Sequence, residues 1–236
     1  MNILAIDTAT SFASIAVAVD ERIVAETLVS TDRTLSARLV PEIERLLATA
    51  GLTIADIDLF ASSIGPGSFT GVRGGVATIQ GLALAVGKPC AGFSSLAMLA
   101  MNFSLSTTLI SPMLDARKSE VYAALYDCSS ALPVSRINDC VLPPALFLDQ
   151  IAATTSERVV FVGDGACRYH DQINERLGNR ALLAPFTLHI PHCANGILLA
   201  LHASQCDTLL EPSQLLPLYL RASDAEIHLT AKRKLL

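Results

Sequence analysis

The chain opens on an apolar run at 3–6 that ends in Asp7, then carries apolar or alternating stretches at 15–19 and 23–28 separated by Asp20-Glu21. Runs this short, bounded by turn residues, predict three β-strands, the last two joined as a hairpin. At 35–50 the period changes. Leu35, Leu39, Ile43, Leu46, Leu47 and Ala50 fall mostly three or four residues apart, which places them on one face of an amphipathic helix. Pro41 lies inside that span and lacks the N–H that a helix interior uses, so it must kink the helix or mark its true start. A further apolar run at 57–64 predicts a fourth strand, which enters the loop Gly65-Pro66-Gly67-Ser68-Phe69-Thr70-Gly71.

The loop feeds a helix predicted at 72–86 that is almost without charge. Val72, Val76, Ile79, Ala83 and Val86 form one apolar seam; Gly71, Gly74, Thr78, Gly81 and Ala85 form a second, smooth one, and only Arg73 and Gln80 are strongly polar. The uncharged run between Arg73 and Lys88 is shorter than the roughly 20 residues a bilayer needs, so a soluble helix is expected. A soluble helix with no wet face needs two covers. One is the chain's own sheet, and the other is either more of the same chain or a second protein. Each interior glycine costs about 1 kcal/mol relative to alanine, so Gly74, Gly75 and Gly81 call for close packing in return.

A strand at 90–93 and a helix at 95–103 follow, and then the pattern begins again. The run 109–114 ends in Asp115 and 121–126 ends in Asp127, as 3–6 ends in Asp7 and 15–19 in Asp20. A strand at 159–162 enters Gly163-Asp164-Gly165, and helices are predicted at 144–153, 166–177 and 194–204. Two such modules in tandem predict a duplicated α/β fold of two lobes, 1–104 and 105–210, with a last segment, 211–236, returning to the first lobe.

Composition narrows the function. The net charge of −5 comes from six basic against nine acidic residues before position 106 and eleven against thirteen after it, so neither half has the basic field that unaided nucleic-acid binding requires. The one basic cluster, Lys232-Arg233-Lys234, reads as a solvated tail. Met1 to Asp7 shows no basic region or cleavage site, so a cytoplasmic location without a membrane address is expected. Six widely spaced cysteines without a Cys-x-x-Cys pair fit reduced structural thiols better than disulfides or zinc.

Four motifs in order then point to a family: Ile3-Leu4-Ala5-Ile6-Asp7-Thr8-Ala9-Thr10; Gly65-Pro66-Gly67-Ser68-Phe69-Thr70-Gly71-Val72-Arg73; Leu114-Asp115-Ala116-Arg117-Lys118-Ser119-Glu120-Val121-Tyr122; and Pro217-Leu218-Tyr219-Leu220-Arg221. With them the chain resembles, over nearly its whole length, the TsaB family, also called YeaZ. That family belongs to the superfamily of actin, sugar kinases and heat-shock chaperone ATPases, so the resemblance implies a duplicated ribonuclease-H-like fold. It also implies a part in forming threonylcarbamoyladenosine next to the anticodon of tRNA. In that system the paralogue TsaD carries the active site, the small ATPase TsaE joins the pair, and TsaB is a non-catalytic activator. The implied partners are therefore TsaD, TsaE, a second copy of the chain when TsaD is absent, and tRNA only through the complex.

The residues test that implication. TsaD carries two metal-binding histidines four apart after its own glycine loop and helix, and the matching positions here are Ser95 and Leu99, so neither a catalytic nor a metal residue is expected. His189 and His192 are separated by Pro191, and His170, His202 and His228 have no evident partners. The phosphate turn of the superfamily, Asp-x-Gly-x-Thr/Ser, stands here as Asp7-Thr8-Ala9-Thr10, where Ala9 adds a methyl group beside the anion's place. Asp7, Thr8, Thr10, Gly163, Asp164 and Gly165 are accordingly at most a vestigial nucleotide site, and no cofactor is expected. Two rivals fare worse. A dinucleotide site lacks the acidic residue that should end the strand at 90–93, and Ser68 lies outside a Gly-x-Ser-x-Gly elbow with no histidine placed to activate it. A nucleotide-binding or protease-like enzyme acting on TsaD remains the alternative. The expected docking surface combines the two helices through Leu35, Leu39, Ile43, Leu46, Val72, Gly74, Gly75, Val76, Ile79, Gly81 and Ala83.

Overall fold

The structure is a computed structural model that describes residues 1–30 and 35–221; the side chains of 35–37, Leu35 among them, lie outside what is described, as do His228 and the basic tail. The first module runs β1 (Asn2–Asp7), β2 (Phe12–Val19), β3 (Arg22–Ser30), α1 (Leu35–Thr49), β4 (Leu59–Gly65), α2 (Phe69–Val86), β5 (Cys90–Ser94) and α3 (Ser95–Ala100). The second runs β6 (Leu109–Arg117), β7 (Glu120–Asp127), β8 (Val134–Leu142), α4 (Pro144–Thr154), β9 (Val159–Val162), α5 (Asp164–Arg168), α6 (His170–Leu177), β10 (Ala181–Leu183) and α7 (Cys193–Gln205). The sheets are ordered β3-β2-β1-β4-β5 and, in the same sense, β8-β7-β6-β9-β10. In both, the first three strands pair antiparallel and the last two join in parallel. The two modules therefore share one topology, the duplicated two-lobed α/β fold that the sequence predicts.

Side-chain size on β1 and β2 shows how the first sheet is covered. Leu4, Ile6, Ile15 and Val17 face α1 and α2, while Ala5, Ala16 and Ala18 face α7. The small residues let a helix lie close on that side. Consequently α7 packs on the first sheet, not within the 105–210 lobe where the sequence places it. The exchange is reciprocal, because Leu96, Leu99 and Ala100 of α3 pack with Ile110, Leu114 and Ala124 of the second sheet. Each module thus closes with a helix on the other's sheet, and both helices lie between the lobes.

Two strands escape the hydrophobic pattern. β8 carries Ser135, Arg136, Asn138 and Asp139 and lies at a sheet edge, and β10 has only three residues. An edge strand exposes enough of its surface to blur a period of two. The predicted helix at 166–177 is divided at Tyr169, whose backbone (φ −106, ψ 23) leaves the helical region. Pro41 remains inside α1.

Candidate functional site

The glycine loop packs onto its own chain. Ser68 N–H donates to Ala9 O at 2.7 Å, and Thr8 Oγ1 donates to Gly71 O at 2.7 Å. A Cβ at Gly67 would lie 2.4 Å from Ala9 O, at Gly71 2.0 Å from Thr8 O, and at Gly75 2.3 Å from Thr8 Oγ1. These three glycines, four residues apart, let the first turns of α2 sit directly on the Asp7-Thr8-Ala9-Thr10 turn. Ser68 caps the helix, its hydroxyl accepting from Gly71 N–H, which is a structural rather than a nucleophilic use.

Of the candidate nucleotide residues, Asp7 and Thr8 are sealed by the same contact, whereas Thr10 is half-buried and Asp164 exposed. Asp7 is fully buried, Thr8 is 1% exposed and Ala9 3% exposed, and Thr10 bonds through its hydroxyl to both polar groups of the Phe12 backbone. Neither Asp7 oxygen has a hydrogen-bond partner, although the Ser63 and Ser95 hydroxyls and the Ala9 amide lie near enough to act on its charge. Burial outweighs them and pushes the Asp7 carboxyl up to about 6. In the second module the Gly163-Asp164-Gly165 turn after β9 packs on the end of β6: a Cβ at Gly163 would meet Met113 O at 2.3 Å, and Asp164 Oδ1 accepts from Asp115 N–H. His189 locks it, its Nδ1 accepting from Gly163 N–H at 2.9 Å and its Nε2–H donating to Ala184 O at 2.8 Å. That role was not legible, because 26 residues separate the pair. The second matching position of the metal-binding pair, Leu99, packs between the lobes.

A third polar cluster joins the lobes. Asp139 of β8 accepts from Ser94 Oγ and Tyr126 Oη, each at 2.5 Å, while Ser94 also caps α3. Burial raises the Asp139 carboxyl, and burial together with the nearby carboxylate drives the Tyr126 phenol far up. Asp139 is half-buried and Tyr126 buried, and the Ser94–Asp139 hydrogen bond ties β8 of the second lobe to β5 of the first.

The expected docking residues divide sharply. Leu39, Ile43, Leu46, Val72, Val76, Ile79 and Ala83 are all in the core beneath the first sheet, and Gly75 is buried against Thr8, so these eight do not face outward as expected. The hydrophobic effect spends the bulky seams on the chain's own sheet. Gly74 and Gly81 do look outward, with nothing within 4 Å of a Cβ at either. Leu84, 73% exposed, stands beside them. By length and composition α2 alone among the described helices could cross a membrane, yet one side of it is packed into this core.

Residues 210–219 return along α2. Leu210 bridges to Cys90, Gln80 Nε2 donates to Pro212 O and Leu215 O at 3.0 Å, and Leu218 N–H donates to Ile64 O at 2.8 Å. Leu215 is fully buried, whereas Leu216 and Leu218 stay 64% and 47% exposed. This strap forms the rim of the open α2 face.

Comparison with known proteins places this geometry. A family model for TsaD, tRNA N6-adenosine threonylcarbamoyltransferase, matches residues 22–229. The tRNA threonylcarbamoyladenosine biosynthesis protein TsaB of Bacillus subtilis (strain 168) is 30% identical over 226 residues, 96% of each chain. That of Escherichia coli (strain K12) is 35% identical over 168 residues, covering 70% of this chain and 72% of that one. The solved structure of YeaZ from Pseudomonas aeruginosa superposes with a TM-score of 0.81 at 30% identity, covering 93% of this chain and 99% of that one.

Proposed function

The chain belongs to the TsaB family of tRNA threonylcarbamoyladenosine biosynthesis, and from that premise we propose that it is the non-catalytic subunit that binds a TsaD-type paralogue and holds it in its working state. One observation carries the reading. The turn that would receive a nucleotide phosphate is filled by α2, while the opposite side of that helix is open, smooth and apolar. A helix that seals one site and offers a flat face to another molecule suits a scaffold better than an enzyme.

In this reading the chain acts in the cytoplasm, needs no cofactor, meets tRNA through the complex, and is joined by TsaE. Because partner and chain share a fold, the same face can pair with a second copy when TsaD is absent. Binding activates the partner only through contacts that differ between its two states. The test is to mix the chain with the TsaD-type paralogue of the same organism and measure complex size and tRNA modification. Gly74→Leu or Gly81→Leu should abolish pairing while the monomer stays folded, since both positions have room for a side chain. Co-purification of these variants with the partner, or tRNA modification by the lone chain, overturns the reading.

A further inference from the structure

An α-helix rises about 1.5 Å per residue, so the 18 residues of α2 make a face about 27 Å long, too small by itself for the roughly 800 Å² per partner of a stable interface. The strap beside α2 extends that face, and where the two meet the surface carries a charge. Arg73 stacks its guanidinium 3.8 Å over the Phe69 ring and 5.4 Å from the Tyr219 ring, and its Nε–H donates to Tyr219 Oη at 2.6 Å. The two rings lie 4.8 Å apart, so the cation is held by an aromatic pair drawn from the helix and the strap. Arg73 is exposed, as is Tyr219 at 42%.

Arg136, Arg168, Arg176 and Arg221 each hold a carboxylate at 2.5–2.8 Å, whereas among the described residues Arg22, Arg117, Arg158 and Arg180 share with Arg73 the lack of one, and Arg73 differs from these in being stacked on two rings. Among the described residues no carboxylate lies within 4.0 Å of Arg73, which is fixed by stacking and yet has no counter-ion. The order that a side chain must surrender on binding is already surrendered, and the terminal nitrogens keep the planar fork that matches an oxyanion. We infer that Arg73 is the charged anchor of the docking face and that it takes a carboxylate of the protein partner; this rests on the docking reading above. A track for RNA phosphates needs several cations in series. Here a single guanidinium stands against the Phe69 and Tyr219 rings, and the strap that carries Tyr219 also exposes Leu216 and Leu218, the aromatic and arginine composition of a protein–protein hot spot.

The test titrates wild-type chain, Arg73→Ala, Arg73→Lys and Gly81→Leu against the TsaD-type paralogue at 50 and 300 mM salt, with thermal melts as a folding control. Arg73→Ala should weaken binding by about 30-fold and flatten its salt dependence without changing the melt. Arg73→Lys should recover only part of the loss, because it keeps the charge and loses the fork. If Arg73→Ala binds the paralogue like wild type while Gly81→Leu does not, the anchor is refuted and the docking reading stands. If both variants bind like wild type, both ideas fall. Loss of tRNA binding by the complex with unchanged affinity for the paralogue would assign Arg73 to a phosphate and overturn the inference.

Discussion

Replacing Asp7 by Asn should make the protein more stable at neutral pH, although it alters a fully buried residue at the centre of the first lobe. The Asp7 carboxyl has no hydrogen-bond partner and its pKa rises from 3.8 to about 6 on folding, chiefly through burial. A carboxyl raised in the folded state binds more protons there than in the unfolded chain between those two values. Its stabilising contribution is therefore complete below pH 3.8 and lost as pH rises through 6. At about 1.4 kcal/mol per pKa unit the loss amounts to about 3 kcal/mol, fully in force at pH 7.5. Asn keeps the shape, removes the charge, and presents amide hydrogens towards the Ser63 and Ser95 hydroxyl oxygens. Imperfect amide geometry costs about 1 kcal/mol of the gain, so a net stabilisation of about 2 kcal/mol is expected. Urea unfolding of both proteins at pH 5, 6, 7 and 8 measures it, and the difference between the two curves isolates Asp7 from every other titrating group. The gap should open between about pH 4 and 6, so that it is partly open at pH 5 and level from pH 7 upward. An Asp7→Asn variant less stable than wild type at pH 8, or a gap that does not vary with pH, refutes the reasoning.

Other substitutions separate the roles of the glycines and the inter-lobe cluster. Gly81→Ala, on the open side of α2, should gain about 1 kcal/mol from helix propensity, whereas Gly71→Ala should cost about 3 kcal/mol or more because its Cβ would lie 2.0 Å from Thr8 O; thermal melts in one buffer compare them. Asp139→Ala should cost about 3 kcal/mol in urea unfolding by stranding the Tyr126 and Ser94 hydroxyls, and adding Tyr126→Phe should cost less than it does alone, which a double-mutant cycle reads directly.

The glycine loop shows how far a sequence can be read and where it stops. Its spacing announces that α2 must approach something closely, but a one-dimensional pattern does not say what. The candidates were a phosphate, a partner and the chain itself. Gly67, Gly71 and Gly75 turn out to serve the Thr8-Ala9 turn, and of the glycines within α2 only Gly74 and Gly81 face outward.

The amino-acid sequence by itself determined the two modules and most of their strands and helices, because periodicity and residue type act over a few neighbours. Tertiary structure decided what depends on contacts between distant residues. It sent α3 and α7 to each other's sheets, buried the bulky seams of α1 and α2, and closed the turn at Asp7. It also brought Tyr219 to Arg73 across 146 positions. The physical reason is common to all of these: a helix's apolar stripe fixes that it will be covered, while the choice of cover is made by whichever surface the finished fold places within reach.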